Sequence, residues 1–209
     1  MRSMESMLHE FHHSFGTVTN EIPTLPDKKT RLLRHSLVVE ELQETIDALA
    51  ERDLPEFVDG LIDTLYVAVG TNLSYGIETI EPVYHLPSQP PAFPSGTGMA
   101  LIDAMLRGLK DACSTVLHPE KNTAPELPIV CLCMNKVIGD CLQTLYICGV
   151  DAMHVFAEVH LANMRKLGPD GLPILREDDK VVKPEGWTPP EIQRVLDDQT
   201  RRFDYPVRA

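Results

Sequence analysis

Between residues 32 and 49 apolar side chains return every three to five positions: Leu32, Leu33, Leu37, Val38, Leu42, Ile46 and Leu49. That spacing is the period of one helix face and predicts a helix from Lys28 or Lys29 to about Arg52–Asp53. A second, broader apolar face follows at Phe57, Val58, Leu61, Ile62, Leu65, Tyr66, Val69 and Leu73. Pro55 suits the first turn of this second helix, and Gly76 is a reasonable stop. So short a turn between the two predicts an antiparallel hairpin.

The same reading gives a short opening helix over 5–16 and a loop over 17–29 carrying Pro23, Pro26 and Asp27. Residues 86–98, LPSQPPAFPSGTG, read as a linker or surface loop. Further helical patterns cover 99–117, 128–148 and 151–166. In 168–186, LPILR and KVVK flank an acidic turn and predict a small β hairpin. Thr188 reads as an N-cap, with Pro189 and Pro190 opening a last helix to about 200. A weak internal echo links GIETIEPVYHL at 76–86 with GVDAMHVFAEVHL at 149–161; each follows an apolar helix carrying Leu-Tyr. The expected fold is all-α. Antiparallel helical hairpins form a four-helix-bundle-like core within a single domain over 1–209, with 77–148 an inserted or duplicated helical hairpin and a small C-terminal β hairpin.

Composition narrows the function. The 209 residues carry 31 acidic against 19 basic side chains, a formal charge of −12. A general nucleic-acid binder needs a basic face, so that class is excluded. A small anionic substrate is not, because a metal reverses the local field in an acidic cleft. The first sixteen residues lack the apolar segment of a signal peptide, and no apolar run approaches the roughly 20 residues of a membrane helix. The expected location is the cytoplasm. The five cysteines (113, 131, 133, 141 and 148) lie in apolar helical patterns and read as small core residues.

The candidate chemistry lies in the first hairpin. Glu40, Glu41 and Glu44, with Asp47 beyond, occupy the first helix; Glu56, Asp59 and Asp63 occupy the second at spacings of three and four. Residues three and four apart share a helix face, so an antiparallel hairpin can bring the two rows together. Crowded carboxylates repel and take up protons unless a cation joins them. An all-oxygen ligand set favours Mg2+, with Mn2+ as the alternative, and magnesium keeps substrate phosphates in its shell. Solvated acidic rows are equally a common feature of soluble helices.

At this point the sequence resembles the MazG-like all-α nucleoside triphosphate pyrophosphohydrolases, in the branch described as phosphoribosyl-ATP pyrophosphohydrolase-like. The resemblance rests on Glu40-Glu41-x-x-Glu44 followed by Glu56-x-x-Asp59. It also rests on FHxxFG at Phe11–Gly16, on Asp63-Thr64-Leu65-Tyr66-Val67-Ala68-Val69-Gly70-Thr71, and on VHxANMxKLGPDG at Val159–Gly171. It covers about residues 8–85 and 149–192. In relatives the helix ending in a GI or GV step runs almost directly into the VHxANM helix; here about 70 residues intervene.

The resemblance implies cleavage between the α and β phosphates of a nucleotide, giving a monophosphate and pyrophosphate. It makes Glu41, Glu44, Glu56 and Asp59 metal ligands, with Glu40 or Asp63 orienting or deprotonating water. Lys166, Asn163, Arg176, Lys180 and Lys183 are candidates for binding the substrate, with Arg31 and Arg34 weaker candidates for its phosphates. Trp187 and Tyr66 can stack on a base, with core packing the better reading for Tyr66. His9, His12 and His13 have helical spacing, but the resemblance explains the FHxxFG segment as structural. The expected substrate is a nucleotide, dUTP or another pyrimidine deoxynucleotide. The expected assembly is a homodimer, with the inserted hairpin able to mimic a neighbouring subunit. Phosphoribosyl-ATP cleavage and a non-catalytic nucleotide-binding regulator are the alternatives.

Overall fold

The two long apolar stripes become the two longest helices. α2 (Lys28–Glu51) and α3 (Leu54–Tyr75) are joined by a turn at Arg52 and Asp53. Both start on an aspartate cap: Asp27 accepts the Thr30 N–H at 2.8 Å and Asp53 accepts the Glu56 N–H at 3.2 Å. The computed structural model describes residues 3–80, 86–177 and 180–203. Around the hairpin stand α1 (Met4–Phe15), α4 (Gly96–Val116), α5 (Leu127–Ile147), α6 (Ala152–Met164) and α7 (Ile192–Arg201), with one 3₁₀ turn before α5.

α3 is the central helix. It packs on α2, α5, α1, α6 and α7, while α4 packs on α2 and α5. The pairs α2–α3 and α4–α5 therefore form the four-helix core, and α1, α6 and α7 close its remaining faces. Phe57, Val58, Leu61, Ile62, Leu65, Ala68 and Val69 are fully buried along α3, which explains its broad apolar face. Leu32 departs from the predicted stripe: it is 49% exposed, and the buried face of α2 begins at Arg34 and Val38.

Gly76 ends α3 with φ +65°, and a Cβ there would lie 2.0 Å from the Ile22 carbonyl oxygen. Only glycine fits so close a passing chain. The loop before α2 uses that approach: the Asn20 and Thr24 N–H groups donate to the Leu73 and Tyr75 carbonyls. The second hairpin repeats the device. Gly149 has φ +74°, the Pro90 carbonyl would meet its Cβ, and the Ala92 N–H donates to the Cys148 carbonyl. The echo seen in sequence thus has a structural counterpart at its glycines, although residues 81–85 of it lie outside the described residues.

The predicted C-terminal β hairpin is not formed. Among the described residues there is no strand, only isolated bridges pairing Leu167 with Pro173 and Leu175 with Val181. Two backbone hydrogen bonds, Arg176 N–H to Lys180 and Val182 N–H to Ile174, hold the segment as a strap. Leu172, Ile174 and Leu175 are exposed, so the apolar residues that suggested a strand have no sheet to cover. The acidic turn residues 178 and 179 lie outside the described residues. Thr188 does not cap the last helix either; α7 starts at Ile192 after Glu191. Among the described residues no single helix is long and apolar enough to cross a membrane.

Candidate active site

The turn at Arg52–Asp53 lays α2 against α3, so the two acidic rows face a common space. Two clefts open there. The first, about 260 Å³, is lined by Glu40, Glu41 and Asp63 together with Asn163 and Lys166 of α6 and its end. The second, about 250 Å³, is lined by Glu56, Asp59 and Asp63, again with Asn163 and Lys166. Asp63, Asn163 and Lys166 are common to both, and that junction joins the two rows.

The electrostatics follow from this crowding. Glu41 is raised to about 8, first by burial, then by Asp63, Glu44 and Glu40. Asp59 is raised to about 7 by burial, then by Asp63 and Glu56. Asp63 is raised to about 6 by burial, with Lys166 opposing and Glu44 adding to the rise. Burial likewise holds Lys166 below its ordinary value, against the pull of Asp63, Glu41 and Asp59. Asp59 Oδ1 is buried with no hydrogen-bond partner, a costly state for a carboxylate oxygen. Glu44 and Glu56 are both exposed; Glu56 lines the second cleft and Glu44 lines neither.

Tested against a divalent cation, this donor set fits in kind. It is all oxygen, it contains an orphaned oxygen, and burial and then neighbouring acids hold Glu41, Asp59 and Asp63 from ionising. Among the described residues no three His, Cys, Asp or Glu side chains are already drawn up as a metal cluster. The cations beside the acids are instead Lys166 and Lys183.

α6 supplies the polar wall. Lys166 Nζ donates to Asn163 Oδ1 at 2.6 Å. The Tyr66 hydroxyl, close to Asn163, lies 3.0 Å from His160 Nδ1. His160 Nε2 is 3.1 Å from Glu10 of α1. Tyr66 donating to His160 Nδ1 leaves the ring proton on Nε2, which Glu10 accepts. His160, Asn163 and Lys166 are three apart, so one face of the α6 segment carries the whole row. Tyr66 is therefore a buried link in this chain, stacked on Phe156 and His160, rather than a face for a base.

The strap brings the remaining cations. Lys180 pairs with Glu40, and Lys183 lies 4.4 Å from the centre of the Trp187 ring. Trp187 Nε1 donates to the Ala162 carbonyl at 2.8 Å and lines the second cleft. Arg176 is exposed and lines neither cleft. Arg31 is used elsewhere, donating to the Pro119 and Asn122 carbonyls at 2.9 and 2.6 Å. Arg34 is buried at the far end of the first cleft, where Nη2 donates to His12 Nε2 at 3.3 Å.

Sequence reasoning passed over Glu10 and His160 as site residues and set His12 aside as structural. Their signal was the two motifs FHxxFG and VHxANM, whose histidines face each other's surroundings only after α1 and α6 dock on α3. Gly70 was also passed over, although an isolated glycine inside a helix usually has a packing reason. A Cβ there would lie 3.0 Å from both Arg34 Nη1 and His12 Nε2.

Comparison with known proteins agrees with the geometry. Residues 8–86, less than half of the chain, match the model of the phosphoribosyl-ATP pyrophosphohydrolase family. Over 178 residues the chain is 26% identical to an uncharacterized protein of Acanthamoeba polyphaga mimivirus, spanning 76% of this chain and 68% of that protein. The matched segment contains α2, α3 and every acid described above. Residues 8–86 of this chain, and with them its acidic hairpin, belong to the MazG-like all-α nucleoside triphosphate pyrophosphohydrolases, a family of pyrophosphohydrolase-type hydrolases.

Proposed function

We propose that this chain hydrolyses a nucleoside or deoxynucleoside triphosphate between its α and β phosphates, releasing the monophosphate and pyrophosphate, with Mg2+ as cofactor and Mn2+ as a substitute. The observation that carries the proposal is the junction at Asp63. Acids from two helices, held from ionising first by burial and then by neighbouring acids, meet there beside a half-buried lysine and an orphaned Asp59 oxygen. Glu41, Glu44, Glu56 and Asp59 are the proposed ligands. A bound magnesium ion would draw charge from the phosphoryl oxygens.

The chain's own residues do the rest. Asp63 lines both clefts and is the better placed of the two candidate bases for taking a proton from the attacking water. Glu40 is engaged by Lys180, which makes that pair a latch between strap and site. Lys166, fixed by Asn163, neutralises a phosphate, and Lys183 approaches from the strap. The favoured substrate is dUTP or another pyrimidine deoxynucleotide. The proposed assembly is a homodimer in the cytoplasm; light scattering separates it from the 23.4 kDa monomer.

The test is pyrophosphate release from a panel of ribo- and deoxynucleoside triphosphates and phosphoribosyl-ATP with Mg2+. Release from a triphosphate, abolished by Glu41→Gln with unchanged helical circular dichroism, supports the proposal. Release from phosphoribosyl-ATP alone moves the substrate. No release from any of them assigns the scaffold to a non-catalytic role.

A further inference from the structure

The first cleft has two ends of opposite character, and phosphate chemistry accounts for only one. The inner end is Arg34. Its side chain is buried, with 5% of the residue exposed, yet none of its described hydrogen bonds or ion pairs reaches a carboxylate. Nη2 donates to His12, and Nε is buried with no partner. A buried guanidinium is normally matched by an anion or by acceptors for its five N–H groups.

His12 supplies one acceptor and no more. Its Nδ1 lies 3.1 Å from the Val18 carbonyl, which can only accept. Nδ1 therefore carries the proton, and Nε2 gives its lone pair to Arg34. Burial, then Arg34, pushes His12 down to about 3, so the ring stays neutral. Arg34 is lowered by burial only to about 10 and keeps its charge at neutral pH. Gly70 leaves the room in which both side chains lie.

Between Arg34 and the acids the cleft is walled by Leu8, Phe11, Leu33, Leu37 and Val67. Arg34 and Glu41 are seven residues apart on α2, two turns or roughly 10 Å. An apolar slot of that length, with anion chemistry at one end and unmatched donors at the other, suits a flat heterocycle carried on a sugar phosphate.

The geometry points to Arg34 as a specificity-determining residue whose free N–H groups read the base edge remote from the sugar, so that the site takes bases with a carbonyl at C4 of a pyrimidine or C6 of a purine (uracil, thymine, guanine) over those with an amino group there (cytosine, adenine). The inference rests on the nucleotide chemistry proposed above and names which bases that site accepts. An exocyclic carbonyl gives the guanidinium an acceptor. An exocyclic amino group sets donor against donor and leaves buried N–H groups unpaired, a mismatch that strongly polar sites discriminate against.

The test uses uncharged nucleosides without metal, so that it does not depend on turnover. Ligand-observed NMR titration should show 2′-deoxyuridine binding at least about tenfold more tightly than 2′-deoxycytidine. Arg34→Met should bring that ratio close to one. Gly70→Ala should also lower it by displacing Arg34 and His12, and it does so without replacing a buried charge in a helix that alanine favours. Circular dichroism checks both folds. In parallel, kcat/KM is measured for dUTP and dCTP with Mg2+. Equal binding of the two nucleosides by the wild type, or protection by inorganic phosphate alone, overturns the inference. If deoxyuridine is preferred but no triphosphate is hydrolysed, the catalytic proposal falls and the base reading stands. If both triphosphates are hydrolysed equally and neither variant moves the ratio, the base reading falls and the catalytic proposal stands.

Discussion

The α2–α3 and α4–α5 hairpins are built from helices of similar length and lie side by side, but their chemistry differs. At the helix contact of the first, Thr45 and Thr64 are fully buried with hydroxyls 3.1 Å apart. Gly60 presses on Thr45, where a Cβ would lie 2.8 Å from its hydroxyl oxygen. At the contact of the second, Cys113 and Cys133 approach with sulfurs 3.5 Å apart. Two glycines in the middle of its helices, Gly108 and Gly139, have open space around them. The first hairpin also buries Thr71, Asn72 and Ser74 and crowds three acids. The second buries Val130, Met134, Val137, Ile138 and Leu145. Apolar burial stabilises a helix pair with little demand on geometry. Buried polar groups stabilise only when each has its partner. The first hairpin is therefore the one whose residues are constrained by a site, and the second is the scaffold against which it rests.

The largest effect expected from that difference is on catalysis. Glu41→Gln should lower pyrophosphate release by more than the roughly 100-fold typical of losing an outer-shell group. Asp140→Asn on α5, whose carboxylate pairs with Lys136 at the surface, should change it less than about twofold. Steady-state kinetics on the best triphosphate checks both.

The next effect is on stability against pH. Burial and mutual repulsion raise the folded values of Glu41, Asp59 and Asp63 to about 8, 7 and 6, above unfolded values near 4. The folded state then holds those protons more tightly than the unfolded one. Their contribution is complete below about pH 4 and is lost as pH climbs through that range. Without divalent metal, Tm should fall by on the order of 5–10 °C between pH 5 and pH 9. Mg2+ should recover it at high pH. Asp63→Asn should flatten the dependence, and Asp140→Asn should leave it unchanged. Differential scanning fluorimetry reads all of these.

The smallest effects separate the glycines. Gly60→Ala should destabilise by about 1–3 kcal/mol through overpacking on Thr45. Gly108→Ala and Gly139→Ala should stabilise by about 0.5–1 kcal/mol, because the new methyl meets nothing and alanine favours the helix. Urea unfolding measures the three.

The helices and the acidic rows were legible in the sequence because both depend on local period. Leu42, Ile46 and Leu49 with Phe57, Leu61 and Leu65 set the hairpin, and the same registers carry Glu41, Asp59 and Asp63 to a common face. The strap was not legible: Leu172, Ile174 and Leu175 have β-type residues around them, but among the described residues there is no sheet to receive them. The start of α7 was misplaced because Trp187 is tied to Ala162 and holds Thr188–Pro190 extended against α6. Arg34 read as a phosphate candidate because its charge is visible in sequence, whereas its burial against His12 depends on the docking of α1. The Glu10–His160–Tyr66 chain depends on three separate segments meeting and leaves no local period.

The central claim is that acids from both helices of the first hairpin hold one divalent ion together. It is tested most directly by titrating Mn2+ into the protein without nucleotide and following the free ion by electron paramagnetic resonance. The account predicts one site in the wild type that is weakened alike by Glu41→Gln on α2 and Asp59→Asn on α3. Wild-type Mn2+ binding in either variant, or no stoichiometric site at all, would contradict it.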